Sequence, residues 1–321
     1  MMDWTDRHER FFLRLISARA RLYTEMVTAP AILHGNREQL LGYKQEEHPL
    51  ALQIGGSEKE QLAEVARIGE DFGYAEINLN VGCPSDRVQS GRFGACLMSE
   101  PHLVASCVEA MKKAVKIPVT VKCRIGVDEQ DIEKDLSTFV KAYVDAGGEL
   151  LIVHARKAWL EGLSPKENRT IPELDYDRVY RLKDEFPDLT LVINGGVENI
   201  DQTQDHLGHV DGVMMGRAAY QTPYVLADVD QKIFGEETPV KTRDEIMALF
   251  MPYVEEQLEQ GVPLHSMTRH ILGLYHAEAG ARIFRRVISE NATRTGAGIT
   301  VLEQALSELR RASEEVRSDV S

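Results

Sequence analysis

Residues 78–98 read NLNVGCPSDRVQSGRFGACLM, and the reading of this run decides that of the whole chain. A short apolar strand, 75–79, ends in the polar pair Asn78 and Asn80 and opens into a long glycine-rich loop. That loop carries one thiol, Cys83, directly before Pro84. Loops held at strand ends by a rigid scaffold are where binding and catalytic side chains concentrate. A thiol there, on a segment too rich in glycine to pack as core, is placed for chemistry more than for folding. Burial as a small apolar side chain is the usual fate of a free cysteine, and Cys96, Cys107 and Cys123 are read that way.

Working outward, apolar runs of strand length recur at 22–27, 50–54, 75–79, 119–122, 150–153, 190–194 and 212–215. Between them, 58–72, 103–115, 132–146, 176–186 and 200–207 carry apolar residues at helical spacing. Strand–helix alternation predicts parallel strands with helical crossovers, in a (β/α)8 barrel or an open doubly wound sheet. Two details favour the barrel. Gln53, Asn78, Asn80, Lys122, His154 and Asn194 stand at the C-terminal ends of successive strands, the rim where barrel enzymes place their chemistry. The last two strands end in Gly195-Gly196 and Gly216-Arg217, glycines that let backbone N–H groups approach a phosphate. Read alone, Lys122 or His154 is equally a strand-end cap. After about residue 230 the strand signal stops, and 242–260, 264–275, 281–289 and 300–316 read as four helices. The expected division is a barrel domain over 1–234, a linker from Gly235 to Thr242 and a helical domain over 243–321.

The 321 residues are 43% hydrophobic, ordinary for a globular chain with a sizeable core. No apolar stretch approaches the ~20 residues a membrane helix needs, and no basic-then-apolar leader predicts export. Four separated cysteines without a Cys-x-x-Cys pair predict neither a zinc site nor a disulfide framework, so no metal is expected and a reduced, cytoplasmic setting is. A net charge of −14 argues against generic nucleic-acid binding, which rests on phosphate neutralisation. It leaves room for a local basic patch: between His265 and Arg294 five arginines face two glutamates.

The opening run resembles the NxGCPs...GxxGa..L signature of the tRNA-dihydrouridine synthases. Two further segments, HARKAWLEGLSPKENR at 154–169 and GARIFRR at 280–286 followed by SENA at 289–292, resemble the A-type branch, which modifies positions 20 and 20a of the tRNA D-loop. The resemblance runs from MDWTD at 2–6 to about Asn291. It implies FMN as cofactor and NADPH as reductant. It assigns flavin contacts to Met1, Met2, Gln53, Lys122, His154, Asn194, Gly195, Gly196, Gly216 and Arg217, and makes Cys83 the proton donor. It assigns tRNA contacts to Asn80 and Arg169, and an orientation signature to Lys166, Arg282 and Arg285. On a helix, Arg282, Arg285 and Arg286 fall within one turn and share a face, which would meet phosphates and read tRNA shape. A solvated charged face is the plainer account of the same cluster.

The chemistry agrees with these assignments. Reducing the 5,6 double bond of uracil requires hydride at C6, which flavin supplies, and a proton at C5, which an ordinary thiol can release to an enolate-like carbanion. The sequence departs from the family at its start: MMDWTDR at 1–7 looks like the loop that follows strand one. Relatives carry an apolar strand ending Ala-Pro-Met just upstream. The expectation is a barrel whose first strand is missing from this sequence, with a misplaced start as the favoured explanation and two sheet edges exposed. A smaller departure is Glu9, where relatives often carry a cysteine or an apolar residue. Three functions follow in order of preference: a tRNA-dihydrouridine synthase, expected to be a monomer; a tRNA-binding protein that has lost catalysis; and an FMN barrel acting on a free pyrimidine.

Overall fold

The computed structural model describes residues 1–85 and 91–320; residues 86–90 of the glycine-rich run lie outside the described residues. Two compact units are present. One comprises residues 1–3 with 21–216, the other residues 4–20 with 217 onward.

The first unit is built on one all-parallel sheet. Its strands are β1 (Leu22–Tyr23), β2 (Val27–Thr28), β3 (Leu50–Gly55), β4 (Glu76–Asn80), β5 (Val119–Arg124), β6 (Leu150–His154), β7 (Thr190–Asn194) and β8 (Gly212–Met214). They pair in chain order, as a (β/α)8 barrel requires, except that β1 and β2 both pair β3 and so share one position. Among the described residues no ladder joins β1 to β8. The central strands are covered on both faces, and β3 is buried along its whole length. This is why they read as continuous apolar runs in place of an alternating pattern. The end strand β8 is only half-buried throughout.

Helices α2 (Lys59–Asp71), α3 (Pro101–Ala114), α4 (Lys134–Asp145), α5 (Tyr176–Glu185) and α6 (Ile200–Leu207) supply the crossovers. Each turns one apolar stripe inward; in α2 it consists of Leu62, Val65, Ala66 and Ile68. Burying one such side chain contributes ~1.5–3 kcal/mol.

The second unit is helical. Its helices of eight residues or more are α1 (Arg7–Ile16), α7 (Arg243–Glu259), α8 (Ala281–Asn291) and α9 (Thr300–Val320). Helix α1 starts at Asp6, whose carboxylate accepts the N–H groups of His8 and Glu9, a cap contributing about 1 kcal/mol. Its aromatic face meets α7: Phe11 stacks on Tyr253 at 4.0 Å, and Phe12 packs edge-on against Phe250 at 5.2 Å. No helix of the described residues is long and apolar enough to cross a membrane.

Two expected elements are corrected. The run 22–27 is not one strand. Thr24 Oγ1 accepts the N–H of Gln53 and donates to the carbonyl of Glu25, so a side chain replaces backbone pairing there. The run 264–275 is helical only over Leu264–Thr268 and continues as successive turns. In those turns Gly273 lies so close to Gln221 that an added Cβ would stand 2.0 Å from its carbonyl oxygen.

Candidate active site

Strand register sets the polar residues of the first unit side by side. Gln53 pairs with Asn78, Asn80 with Lys122, Arg124 with His154, and His154 with Asn194. Because the strands are parallel, these residues form one band at the C-terminal end of the sheet.

Cys83 stands three residues beyond this band, half-buried. Its backbone N–H and that of Gly82 both donate to Asn80 Oδ1, at 2.9 and 3.1 Å. Asn80 Nδ2 in turn donates to Gln53 Oε1 at 2.9 Å. The thiol lies 3.6 Å from Ser85 Oγ, and the Cys83 carbonyl accepts the N–H of Ala95. Both ends of the thiol's residue are therefore fixed to the scaffold. Cys107 and Cys123 are buried, and burial pushes their thiols up to about 11 and about 12. Cys96 is half-buried and its thiol is also raised by burial.

Lys122 Nζ donates to Asn194 Oδ1 at 3.0 Å, and Asn194 Nδ2 donates to the Met214 carbonyl at 2.7 Å. Burial, followed by the neighbouring Arg124 cation, lowers Lys122 to about 8. An anion placed there would favour its charged form and raise it again. Next to it the chain turns through Gly195 at φ +113° and Gly196 at φ +70°. A Cβ on Gly195 would stand 2.6 Å from His154 Cδ2, and one on Gly196 2.6 Å from the Tyr176 hydroxyl oxygen. Tyr176 holds this turn by donating to the Gly195 carbonyl at 2.8 Å. At Gly216 an added Cβ would meet, among the described residues, only Met1 Sδ, at 3.9 Å. Met2 is exposed, and Arg217 opens the short helix Arg217–Gln221 of the second unit.

The segment after β6 is organised by Asn168. Buried, it accepts the N–H of Trp159 and donates to the carbonyls of Trp159 and Leu163. Its neighbours Lys166 and Arg169 are exposed. Arg124, itself buried, reaches the carbonyls of Gly82, Lys157 and Asn168 at 3.0, 3.0 and 2.8 Å. It thus ties the Cys83 loop to the segment carrying Arg169. Burial lowers Arg124 to about 10, and the Arg169 and Arg156 cations push the same way. The rim is locally basic on an acidic protein, a field that draws in anions.

In the second unit, Arg282 is exposed and Arg285 half-buried on α8. Both line a shallow groove of about 620 Å³ together with His276, Glu278 and Glu315.

A family described as dihydrouridine synthase (Dus) matches residues 1–310. The chain belongs to the dihydrouridine synthase family. Curated relatives named tRNA-dihydrouridine(20/20a) synthase include one from Vibrio cholerae, 59% identical over 310 residues covering 96% of this chain and 94% of that protein. Others are from Synechocystis sp., 56% identical over 306 residues covering 95% and 92%, and from Salmonella typhimurium, 56% identical over 307 residues with the same coverage.

For a member of the dihydrouridine synthase family, sequence reasoning passes over several residues that build the site. Arg124 was legible: two positions beyond Lys122 on a strand, it shares that residue's face. Tyr176 and Asn168 carry no such signal, because their roles depend on a turn and a loop folding back.

Proposed function

We propose that the protein reduces uridine in the tRNA D-loop to 5,6-dihydrouridine, at positions 20 and 20a as its relatives' names state, with FMN as cofactor and NADPH as reductant. The observation that carries this reading is the placement of Cys83. Its backbone N–H donates to Asn80 at the strand ends, within one hydrogen-bonded set with Gln53, and Lys122 is on the strand next to that of Asn80.

The residues fit a flavin. The Gly195–Gly196 turn runs at positive φ with no side chain of its own, so its backbone N–H groups are of the kind a phosphate would take as donors. Burial and the Arg124 cation lower Lys122, and the polar edge of an isoalloxazine, anionic when reduced, would offset them. Gln53, Lys122 and His154 would hold the ring system. Asn194, Gly195, Gly196, Gly216 and Arg217 would hold the phosphate, and Met1 and Met2 would offer backbone contacts. Bound there, FMN would supply hydride for C6 of uracil.

The remaining chemistry belongs to the chain. Hydride at C6 leaves carbanion character at C5, and Cys83 gives its Sγ proton to that carbon; the thiolate regains a proton from solvent. The base must leave its stack to be reached. Asn80, Lys166 and Arg169 on the first unit, and Arg282 and Arg285 on the second, would contact tRNA. On this reading 1–234 is the catalytic region and 243–321 the tRNA-binding one, in a cytoplasmic monomer.

The test is Cys83→Ala. This variant should hold FMN and be reduced by NADPH like the parent protein, while dihydrouridine formation falls ~100-fold or more, as for loss of a general acid. Near-parental dihydrouridine yield would sink the acid assignment. A parent protein that is colourless and cannot be reconstituted with FMN would leave tRNA binding without catalysis.

A further inference from the structure

A single file of hydrogen bonds runs through the interior of the first unit and ends at Cys83. It begins at Glu76, whose side chain is 0% exposed. Three groups donate to this carboxylate: Arg21 Nη1, the Tyr23 hydroxyl at 3.1 Å and Thr120 Oγ1 at 2.6 Å. Asn78 Nδ2 donates to Thr120 Oγ1 at 2.8 Å, and Gln53 Nε2 to Asn78 Oδ1 at 2.8 Å. Asn80 Nδ2 donates to Gln53 Oε1 at 2.9 Å, and the N–H groups of Gly82 and Cys83 donate to Asn80 Oδ1.

Every donor in this file points toward Glu76. Arginine has no acceptor to offer. Tyr23 keeps its proton, because burial and then the Glu76 charge raise it well above its ordinary value. Thr120 has one proton and spends it on Glu76, so toward Asn78 it can only accept. That requirement sets the amide of Asn78, which sets Gln53, which sets Asn80. Turning any one amide over would bring donor against donor on one side and acceptor against acceptor on the other, in a place where unmet polar groups are costly.

We infer that Glu76 and Thr120 are positioning residues: they fix the direction of this file, so that Gln53 and Asn80 each face the site with an amide N–H, their carbonyl oxygens already engaged. Gln53 and Asn80 therefore each offer an amide N–H that donates to a carbonyl oxygen or an unprotonated ring nitrogen, and Asn80 Oδ1, already accepting two N–H groups, has no lone pair left for a ring N–H. The same direction supplies the acceptor that pins the Cys83 backbone. The ligand side of this inference rests on the flavin and uridine reading above; the direction of the file does not.

The test uses Thr120→Val, which removes the relay hydroxyl at nearly constant volume, and Thr120→Ser, which returns it. The first readout is hydrogen exchange of the Gly82 and Cys83 amides by NMR, without flavin. Thr120→Val should speed both by about tenfold, the loss of a bond of ~1.4 kcal/mol, while the β6 ladder amides stay unchanged. Thr120→Ser should restore the parental rates. The second readout is the FMN dissociation constant, expected to rise about tenfold in the valine variant and recover in the serine one. Unchanged exchange in Thr120→Val, or equal acceleration in valine and serine variants, overturns the inference. Serine-rescued exchange in a protein that binds no FMN upholds the file and refutes the flavin reading instead. If Thr120→Val does not fold, the parent protein decides. A scalar coupling from the Cys83 N–H to the Asn80 side-chain carbonyl carbon supports the direction, and its absence overturns it.

Discussion

Replacing Gly195 by alanine should damage the protein through two separable effects. At φ +113° the backbone lies where residues with a side chain are rarely found, a strain of about 1–3 kcal/mol. The new Cβ would stand 2.6 Å from His154 Cδ2 and 2.9 Å from Nε2. The imidazole must move most of an ångström, forcing an off-rotamer side chain at about 0.5–1.5 kcal/mol. The expected loss is therefore ~2–4 kcal/mol, or roughly 5–12 °C in the first thermal transition for a chain of this size. Gly235 supplies the control: it has φ +70° with nothing within 4 Å of an added Cβ, so Gly235→Ala should cost only ~1 kcal/mol. Adding His154→Ala to Gly195→Ala removes the collision but not the strain. The double variant should recover about 1 kcal/mol relative to additivity. Thermal denaturation of these three variants, of His154→Ala alone and of the parent measures all of these terms. If Gly195→Ala costs no more than Gly235→Ala within about 0.5 kcal/mol, the turn is not packed against His154 as described.

Acid should weaken the second unit through His8. Burial, the largest cause, lowers its folded pKa from 6.5 to about 4. Between those values the unfolded chain takes up a proton that the folded one refuses, so stability falls as pH drops from 6.5 to 4. Discounted for partial exposure, the loss is about 2 kcal/mol; His8→Gln should flatten that part of the curve, and an unchanged slope would refute the assignment. Glu9 acts in the opposite sense. It is fully buried, its Oε2 stands 3.4 Å from His270 Nδ1, neither carboxyl oxygen has a hydrogen-bond partner among the described residues, and burial followed by Asp6 raises its pKa well above 4.5. The stability it favours is present below 4.5 and lost as pH rises through the folded pKa, so Glu9→Gln should raise the melting temperature at pH 8 and do little at pH 4. Arg282→Ala, at an exposed position, should weaken tRNA binding and reduce the slope of log affinity against log salt by ~0.7–0.9. It should leave the melting temperature within about 1 °C; an unchanged slope would remove Arg282 from the interface.

The parts of this molecule that are legible in the sequence are those set by local periodicity. Strands buried on both faces announce themselves as apolar runs, and the polar residue ending each run marks the rim; Gln53, Lys122 and Asn194 are found this way. What is hidden depends on partners distant in sequence. The break in the first strand follows from a Thr24 hydroxyl meeting the Gln53 amide. The helix starting at Leu264 stops at Thr268 and gives way to turns that bring Gly273 against Gln221. Asp6 followed by Phe11, Phe12 and Ile16 signals a helix start, but nothing local says that this helix packs with residues near 250. The interior file ending at Cys83 is invisible for the same reason. Glu76 and Thr120 look like ordinary strand residues until register places them together.

The path of the chain through its two units has a consequence during synthesis. The ribosome makes α1 before the 21–216 unit, and only after that unit the helices against which α1 packs. Phe11 and Phe12 emerge about 240 residues before Tyr253 and Phe250, a delay of roughly 12–50 s at ordinary elongation rates. Throughout that interval an aromatic helix face waits beside the nascent chain, open to chaperones and to self-association. A bound holdase would have to release it late, when the last helices appear.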